Sequence, residues 1–171
     1  KKDNLLFGTL NTWILWKLTA GAVFATDISN ASRTLLYNIY EKKRDDDLLK
    51  LFDIKKEMLP EVKSCSEMYG HTDPSVLSAK IPITAMIGDA QSALFAAGCH
   101  DEGMAHCSLG TGTFVLMNTG ETPVKDSGHL VTSIAYQRTD SPVKYLLEGS
   151  VYSSGSVVGW LKSHTGIIRS A

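Results

Sequence analysis

Asp89 sits in GDAQSALFAAG, residues 88–98, and an apolar run, IPITAMI, leads into it. A chain that leaves a strand through a glycine and then starts a helix of small residues has two uses for a carboxylate at that junction. The carboxylate can cap the helix. It can also stand at the lip of a cleft and take a proton, because open α/β sheets put their ligands at strand ends. Glu148, in LLEGS, is a second carboxylate read at a strand end, either as a polar group of a cleft or as the brace of a loop.

Gly110, Thr111, Gly112 and Thr113 form a GTGT turn between two strand-like runs. Glycines let a backbone approach a ligand closely, and successive N–H groups in such a turn make an anion-binding concavity. A plain tight hairpin explains the same residues. The turn is not a Walker loop, since GxxxxGK[ST] is absent. Ser153, Ser154, Gly155 and Ser156 open a helix after a strand. A helix N-terminus attracts phosphate, although a serine cap is the simpler account of these residues. A strand-end carboxylate, a Gly-Thr turn and a glycine at a helix start together are what a phosphoryl-transfer cleft requires. They supply positioning, charge stabilisation and a proton acceptor.

Other candidates are weaker. The five histidines, at 71, 100, 106, 129 and 164, have no metal-ligand spacing. Trp13, Trp16 and Trp160 are assigned to the core. Cys65, Cys99 and Cys107 are too few for a disulfide framework and read as free thiols in a reducing cytoplasm. The Asn30-Ala31-Ser32 sequon is discounted for want of a secretory signal.

The elements that position these residues follow from periodicity. Leu10, Trp13, Ile14 and Leu18 predict a helix ended by the TAG at 19–21. AVFATD predicts an extended segment, SNASRT a polar turn, and LLYNIY a second short apolar piece. Asp45, Asp46 and Asp47 suit the N-terminus of a helix that ends before Pro60. Residues 64–80 read as a surface loop with at most one short strand, and IPITAMI as a buried strand. Gly98 is placed to cap the helix that follows Asp89. MAHCSL, FVLMNT, LVTSIAY and VKYLLEG predict four strands separated by turn chemistry, and the helix after them puts Val157, Val158 and Leu161 on one side. The texture changes near residues 99–102, so the chain divides into 1–101, α/β, and 102–171, antiparallel strands and a helix.

Composition narrows the class. Of the 171 residues 43% are hydrophobic and 20% charged, as in a soluble globular protein, and the formal net charge is −1. No basic stripe points to nucleic acid, no apolar run is long enough for a bilayer, and neither partner is expected. The abrupt start and end read as a fragment of a longer protein.

The sequence resembles the FGGY carbohydrate kinase family, and within it the glycerol kinases. The resemblance runs from GTLNTWILWKLT through ATDISNASRTLLYNI and MLPEVKSCSEMYG to IPITAMIGDAQSALFAAG. It continues in GTGTFVLMNTGE, SIAY, YLLEGSV and GWL. It implies an actin-like, RNase-H-like α/β fold, with this chain spanning the end of the first domain and the start of the second. It also implies ATP-dependent phosphorylation of glycerol to sn-glycerol 3-phosphate, in the cytoplasm, by an enzyme that is a homo-oligomer at full length. Asp89 then matches the general base and lies near the polyol and Mg²⁺. Thr111, within Gly110–Gly112, matches a threonine that meets the nucleotide phosphates, and Gly155 matches a nucleotide-contacting glycine.

Two residues depart from the pattern. Ala90 stands where glycerol kinases usually have a glutamine that contacts a glycerol hydroxyl, and Gly159 where a glutamine near the nucleotide is usual. Another small polyol or sugar is therefore the runner-up substrate, and a non-catalytic binding or scaffolding relative is the alternative class. The family's fructose 1,6-bisphosphate loop and its HFYG motif are absent from GHTDPSVLSAK. The family's N-terminal phosphate loop, further substrate contacts and adenosine pocket lie outside this stretch, so the stretch alone is expected to be inactive.

Overall fold

The computed structural model describes residues 5–125 and 128–168. The chain divides into two compact units, Lys1–Ser92 with Ile134–Lys144, and Ala93–Ser133 with Tyr145–Ala171.

In the first unit, extended Thr9 precedes α1 (Leu10–Leu18), which ends where Ala20 and Gly21 take φ of 49° and 87°. The helix is where its periodicity predicts, but its inward face holds Thr12 and Leu15. Leu15 packs with Ala25 and Tyr69 in a small core. The predicted apolar stripe turns outward, with Leu10 74% and Trp13 58% exposed. Trp160 is 53% exposed as well, so the assignment of the tryptophans to a core is corrected.

The wholly buried strand β1 (Ala25–Asp27) pairs in parallel with β4 (Glu61–Lys63). Between them lie α2 (Ile28–Ala31), the antiparallel pair β2 (Tyr37–Asn38) and β3 (Lys43–Arg44), and α3 (Asp46–Leu51). The SNASRT turn is thus partly helical, because the Asp27 side chain accepts from the N–H groups of Ser29 and Asn30. Asp45 caps α3 in the same way, taking the Leu48 N–H at 3.0 Å. Residues 64–80 are more ordered than a loop. They hold β5 (Ser66–His71) and α4 (Pro74–Leu77), capped by Asp73.

Within IPITAMI, β6 (Pro82–Ala85) pairs antiparallel with β5. The strand exists but its burial does not, since Pro82, Thr84 and Ala85 are exposed. The reason is that β6 has a neighbour on one edge alone, in a two-stranded sheet. An apolar groove lined by Ile14, Leu18, Ile83 and Ile87 runs beside it.

Helix α5 (Asp89–Ala96) starts in the first unit and ends in the second, and Gly98 closes it with φ of 77°. The four predicted strands follow as β7 (Ala105–Leu109), β8 (Thr113–Gly120), β9 (Val131–Tyr136) and β10 (Lys144–Val151). Their sheet order is β7-β8-β10-β9. In the second unit β8 pairs antiparallel with both β7 and β10, which sets Thr113 opposite Leu109 on one side and Val151 on the other. Short α6 (Gly155–Trp160) runs on into a π-helical turn, Leu161–Thr165, with Val157 and Val158 more than 40% exposed. No described helix is long and apolar enough to cross a membrane.

Candidate active site

Asp89 is the first residue of α5 and its side chain is exposed. It does not cap the helix in the usual way, by reaching N–H groups two or three residues on. Its Oδ1 accepts the N–H of Ala90 at 2.8 Å, and its Oδ2 has no protein partner among the described residues. One carboxylate oxygen is thereby oriented and the other stays free to accept a proton or face a cation.

The turn that presents Asp89 is tied down beneath it. The N–H of Gly88 donates to Ser29 Oγ at 2.9 Å, and the N–H of Met86 to the carbonyl of Cys65 at 2.9 Å. Asn11 Nδ2 lies 2.8 Å from Met86 Sδ. A side chain at position 88 would place its Cβ 2.4 Å from Oε1 of the buried Gln91, the tip of a side chain that would have to shift.

Below that turn is a residue that sequence reasoning missed. Asp27 is fully buried, and among the described residues no Lys, Arg or His pairs with it. Its Oδ1 accepts from Asn30 Nδ2 at 2.7 Å and Asn11 Nδ2 at 3.1 Å. Its Oδ2 accepts from Ser29 N at 2.8 Å, Asn30 N at 3.3 Å, Cys65 Sγ at 3.4 Å and the Ser29 hydroxyl. Such a set of donors is how a buried carboxylate offsets its desolvation without a counter-charge. Burial, with Asp27 adding to it, pushes the Cys65 thiol up to about 12 and raises the Tyr69 phenol above its usual range. The local part of this network, an aspartate two and three residues before Ser29 and Asn30, is a helix-cap signal visible in the sequence. The long-range donors Asn11 and Cys65 leave no such trace.

The second unit brings Gly110, Thr111, Gly112 and Gly155 together. Gly110 N donates to Gly112 O at 2.9 Å, closing the β7–β8 hairpin. The start of α6 then docks on the turn's carbonyls. Gly155 N donates to Gly110 O at 3.1 Å, while Ser154 N and Ser156 N donate to Thr111 O at 3.0 and 3.2 Å. Thr113 Oγ1 donates to Ser154 Oγ at 2.8 Å, and Ser154 makes no side-chain cap bond. Both simple accounts therefore need correction. The serine is not an ordinary cap, and the first amides of α6 are spent on the turn rather than free for an anion.

Close approach explains the glycines. A Cβ at position 155 would lie 2.4 Å from Gly110 O, and one at 112 would lie 2.8 Å from Val151 O. Thr111 remains exposed at the tip of the turn, and its hydroxyl has no protein partner among the described residues. Glu148 lies inside β10 rather than at its end, opposite Leu116, and accepts from Ser150 Oγ at 3.1 Å.

Two family models match the chain. The N-terminal domain of the FGGY family of carbohydrate kinases matches residues 2–96, and the C-terminal domain of the same family matches residues 105–171. The chain belongs to the FGGY family of carbohydrate kinases. Its fold is accordingly the actin-like ATPase fold of that family. Among FGGY relatives, it is 50% identical to the glycerol kinase of Staphylococcus haemolyticus, covering 100% of this chain and 34% of that protein. It is 49% identical to glycerol kinase 1 of Clostridium tetani, covering 99% of this chain and 34% of that one. Among solved structures, Plasmodium falciparum glycerol kinase with ADP superposes with a TM-score of 0.90 at 40% identity, over 96% of this chain and 33% of that one. A Lactobacillus acidophilus xylulose kinase superposes at 0.79 with 21% identity, over 90% of this chain and 31% of that one, which speaks to the fold. The chain spans about a third of the length of the curated relatives it matches.

Among the described residues, no group of three His, Cys, Asp or Glu is placed to hold a metal. Mg²⁺ in phosphoryl-transfer sites is commonly held by one or two carboxylates, waters and the substrate's own phosphates. The free Oδ2 of Asp89 fits that mode.

Proposed function

We propose that the full-length protein containing this chain is an ATP-dependent glycerol kinase, with Asp89 as general base and the boundary between its two domains at residues 101–102. A match over 99–100% of this chain, and about a third of each glycerol kinase, at 49–50% identity carries this reading. The exposed carboxylate at the start of α5 gives it a mechanism.

In the proposed reaction a glycerol hydroxyl oxygen bonds to the γ-phosphorus of ATP while the bond to the β,γ-bridging oxygen breaks. The electron pair leaves with ADP, and the hydroxyl proton goes to Asp89 Oδ2. Bound Mg²⁺ would neutralise charge on the phosphates, with Asp89 and Thr111 as the residues of this chain nearest in chemical type to that task. Asp89 orients and deprotonates the acceptor. The Gly110–Gly112 turn, locked to Gly155, presents the Thr111 hydroxyl to phosphate oxygens. The site of action is the cytoplasm and the full-length enzyme a homo-oligomer. Ala90, a methyl where a hydrogen-bonding amide is usual in the family, favours a second reading in which another small polyol is the better acceptor.

The test is ADP release by the full-length protein with glycerol, with other small polyols and with no acceptor. Glycerol-dependent turnover is expected. A folded protein with no acceptor-dependent turnover would leave the non-catalytic alternative standing. Asp89→Asn should cost about 10²- to 10⁴-fold in kcat, the usual contribution of a positioned general base, with the fold intact. Unchanged kcat would remove Asp89 from the mechanism.

A further inference from the structure

We infer that Asp27 is a positioning residue for Asp89, acting through Ser29, Asn11 and Cys65; this rests on the kinase reading above. The basis is a convergence. Each of the three ties on the Met86–Gly88 turn is made by a residue that also donates to Asp27. Ser29 Oγ accepts the Gly88 N–H, Asn11 Nδ2 contacts Met86 Sδ, and the Cys65 carbonyl accepts the Met86 N–H. Their Ser29 hydroxyl, Asn11 amide and Cys65 thiol all point at the same carboxylate.

The chemistry of the serine makes the link directional. A hydroxyl has one hydrogen, and Ser29 gives it to Asp27 Oδ2. Its lone pairs are therefore left for the Gly88 N–H, one residue before Asp89. A carboxylate can only accept, so it fixes this orientation, whereas an amide in its place could present an N–H and turn the hydroxyl round. Asp27 is wholly buried, joins residues 11, 29, 30 and 65 across three separate segments, and has no counter-charge among the described residues. Capping α2 needs only the Ser29 and Asn30 amides. The Asn11, Cys65 and Ser29 hydroxyl bonds go beyond capping, and those three residues are the ones that hold the turn under Asp89.

The experiment compares Asp27→Asn, Ser29→Ala, Ser29→Thr and Asn11→Ala with wild type in the full-length protein. Asp27→Asn should lower kcat as Ser29→Ala does, because its amide can turn the Ser29 hydroxyl away from Gly88, and wild-type kcat in folded Asp27→Asn overturns the inference. The readouts are kcat and KM for glycerol and ATP, melting temperature, and amide hydrogen exchange over residues 86–90. Ser29→Ala removes the tie to Gly88 and leaves the buried charge and its other donors. It should lower kcat by about ten- to a hundredfold, as a small misplacement of a reacting group does, with both KM values close to wild type. Exchange at residues 86–90 should quicken while the rest of the unit keeps its protection, and Ser29→Thr, which keeps the hydroxyl, should restore both. If Ser29→Ala does not fold, Asn11→Ala carries the same expectations. Unchanged kcat and unchanged exchange in a folded variant overturn the inference, and so does a loss of kcat that the threonine fails to restore. Wild-type protein without turnover would sink the kinase reading instead, and the exchange data would still show whether the Asp27 network holds the turn.

Discussion

Gly155→Ala should damage the proposed nucleotide-contacting turn through backbone alone. The new Cβ would sit 2.4 Å from Gly110 O and 3.2 Å from Gly110 C, where ordinary contact begins at 3.4 Å. About 1 Å of separation has to be found, and the opposing atoms are main chain, which cannot rotate away as a side-chain tip can. The movement stretches the 3.1 Å bond from Gly155 N to Gly110 O beyond hydrogen-bonding range. It also strains the paired bonds to Thr111 O at 3.0 and 3.2 Å. Losing one to three such bonds costs about 1–3 kcal/mol. Alanine's better helix propensity returns up to ~1 kcal/mol, so the net loss expected lies between about 0 and 3 kcal/mol.

The functional effect should exceed the effect on stability. A shift of about 1 Å in a group that positions a phosphate can cost about a hundredfold in rate. It should appear in kcat/KM for ATP far more than in KM for glycerol. Steady-state kinetics with each substrate varied, together with urea unfolding, measure both. Wild-type kcat/KM for ATP with an unchanged urea midpoint would refute the claim that the α6 start is locked to the GTGT turn.

Other expectations follow from the same geometry. Gly159→Ala, in the same helix, meets nothing within 4 Å, so it should raise stability by about 0.5–1 kcal/mol in urea unfolding and leave ATP kinetics alone. Ala90→Gln extends from an exposed position. It should lower KM for glycerol by about fivefold if it gains one neutral hydrogen bond of about 1 kcal/mol, and a rise in KM would argue for a different acceptor. Cys107 is exposed whereas Cys65 and Cys99 are buried, so a thiol reagent near neutral pH should label Cys107 first, read by mass spectrometry of digested protein. The Cys65 thiol is raised from 9.0 to about 12. The unfolded chain therefore releases this proton first, and stability should fall as pH rises from about 9 towards 12 in thermal melts across that range.

Period-2 runs and glycine turns made the last four strands legible, because β7, β8, β9 and β10 carry their own apolar patterns and are bounded by residues with turn chemistry. The short helix α5 was legible for a similar reason, with Gly88 before it and Gly98, at φ of 77°, after it. Burial was not legible. The spacing of Leu10, Trp13 and Ile14 fixes a helix, but which face turns inward depends on Leu15 meeting Ala25 of β1, a contact between segments. IPITAMI likewise has the apolar content of a central strand and stands at a sheet edge.

The same division between local and non-local information runs through the candidate site. Asp89, Thr111 and Gly155 are visible because each sits at a junction between elements, where glycine or a polar residue breaks a pattern. The close approach of Gly155 to Gly110 is a contact between residues 45 apart in sequence, and nothing in either stretch announces it. Asp27 is the sharper case. Its short-range bonds look like an ordinary cap, while the bonds that give it a hold on the Asp89 turn come from residues 11 and 65. A buried carboxylate satisfied entirely by neutral donors has no charged partner for a reader of the sequence to search for. Its importance emerges once the donors are traced one step further, to the backbone they also hold.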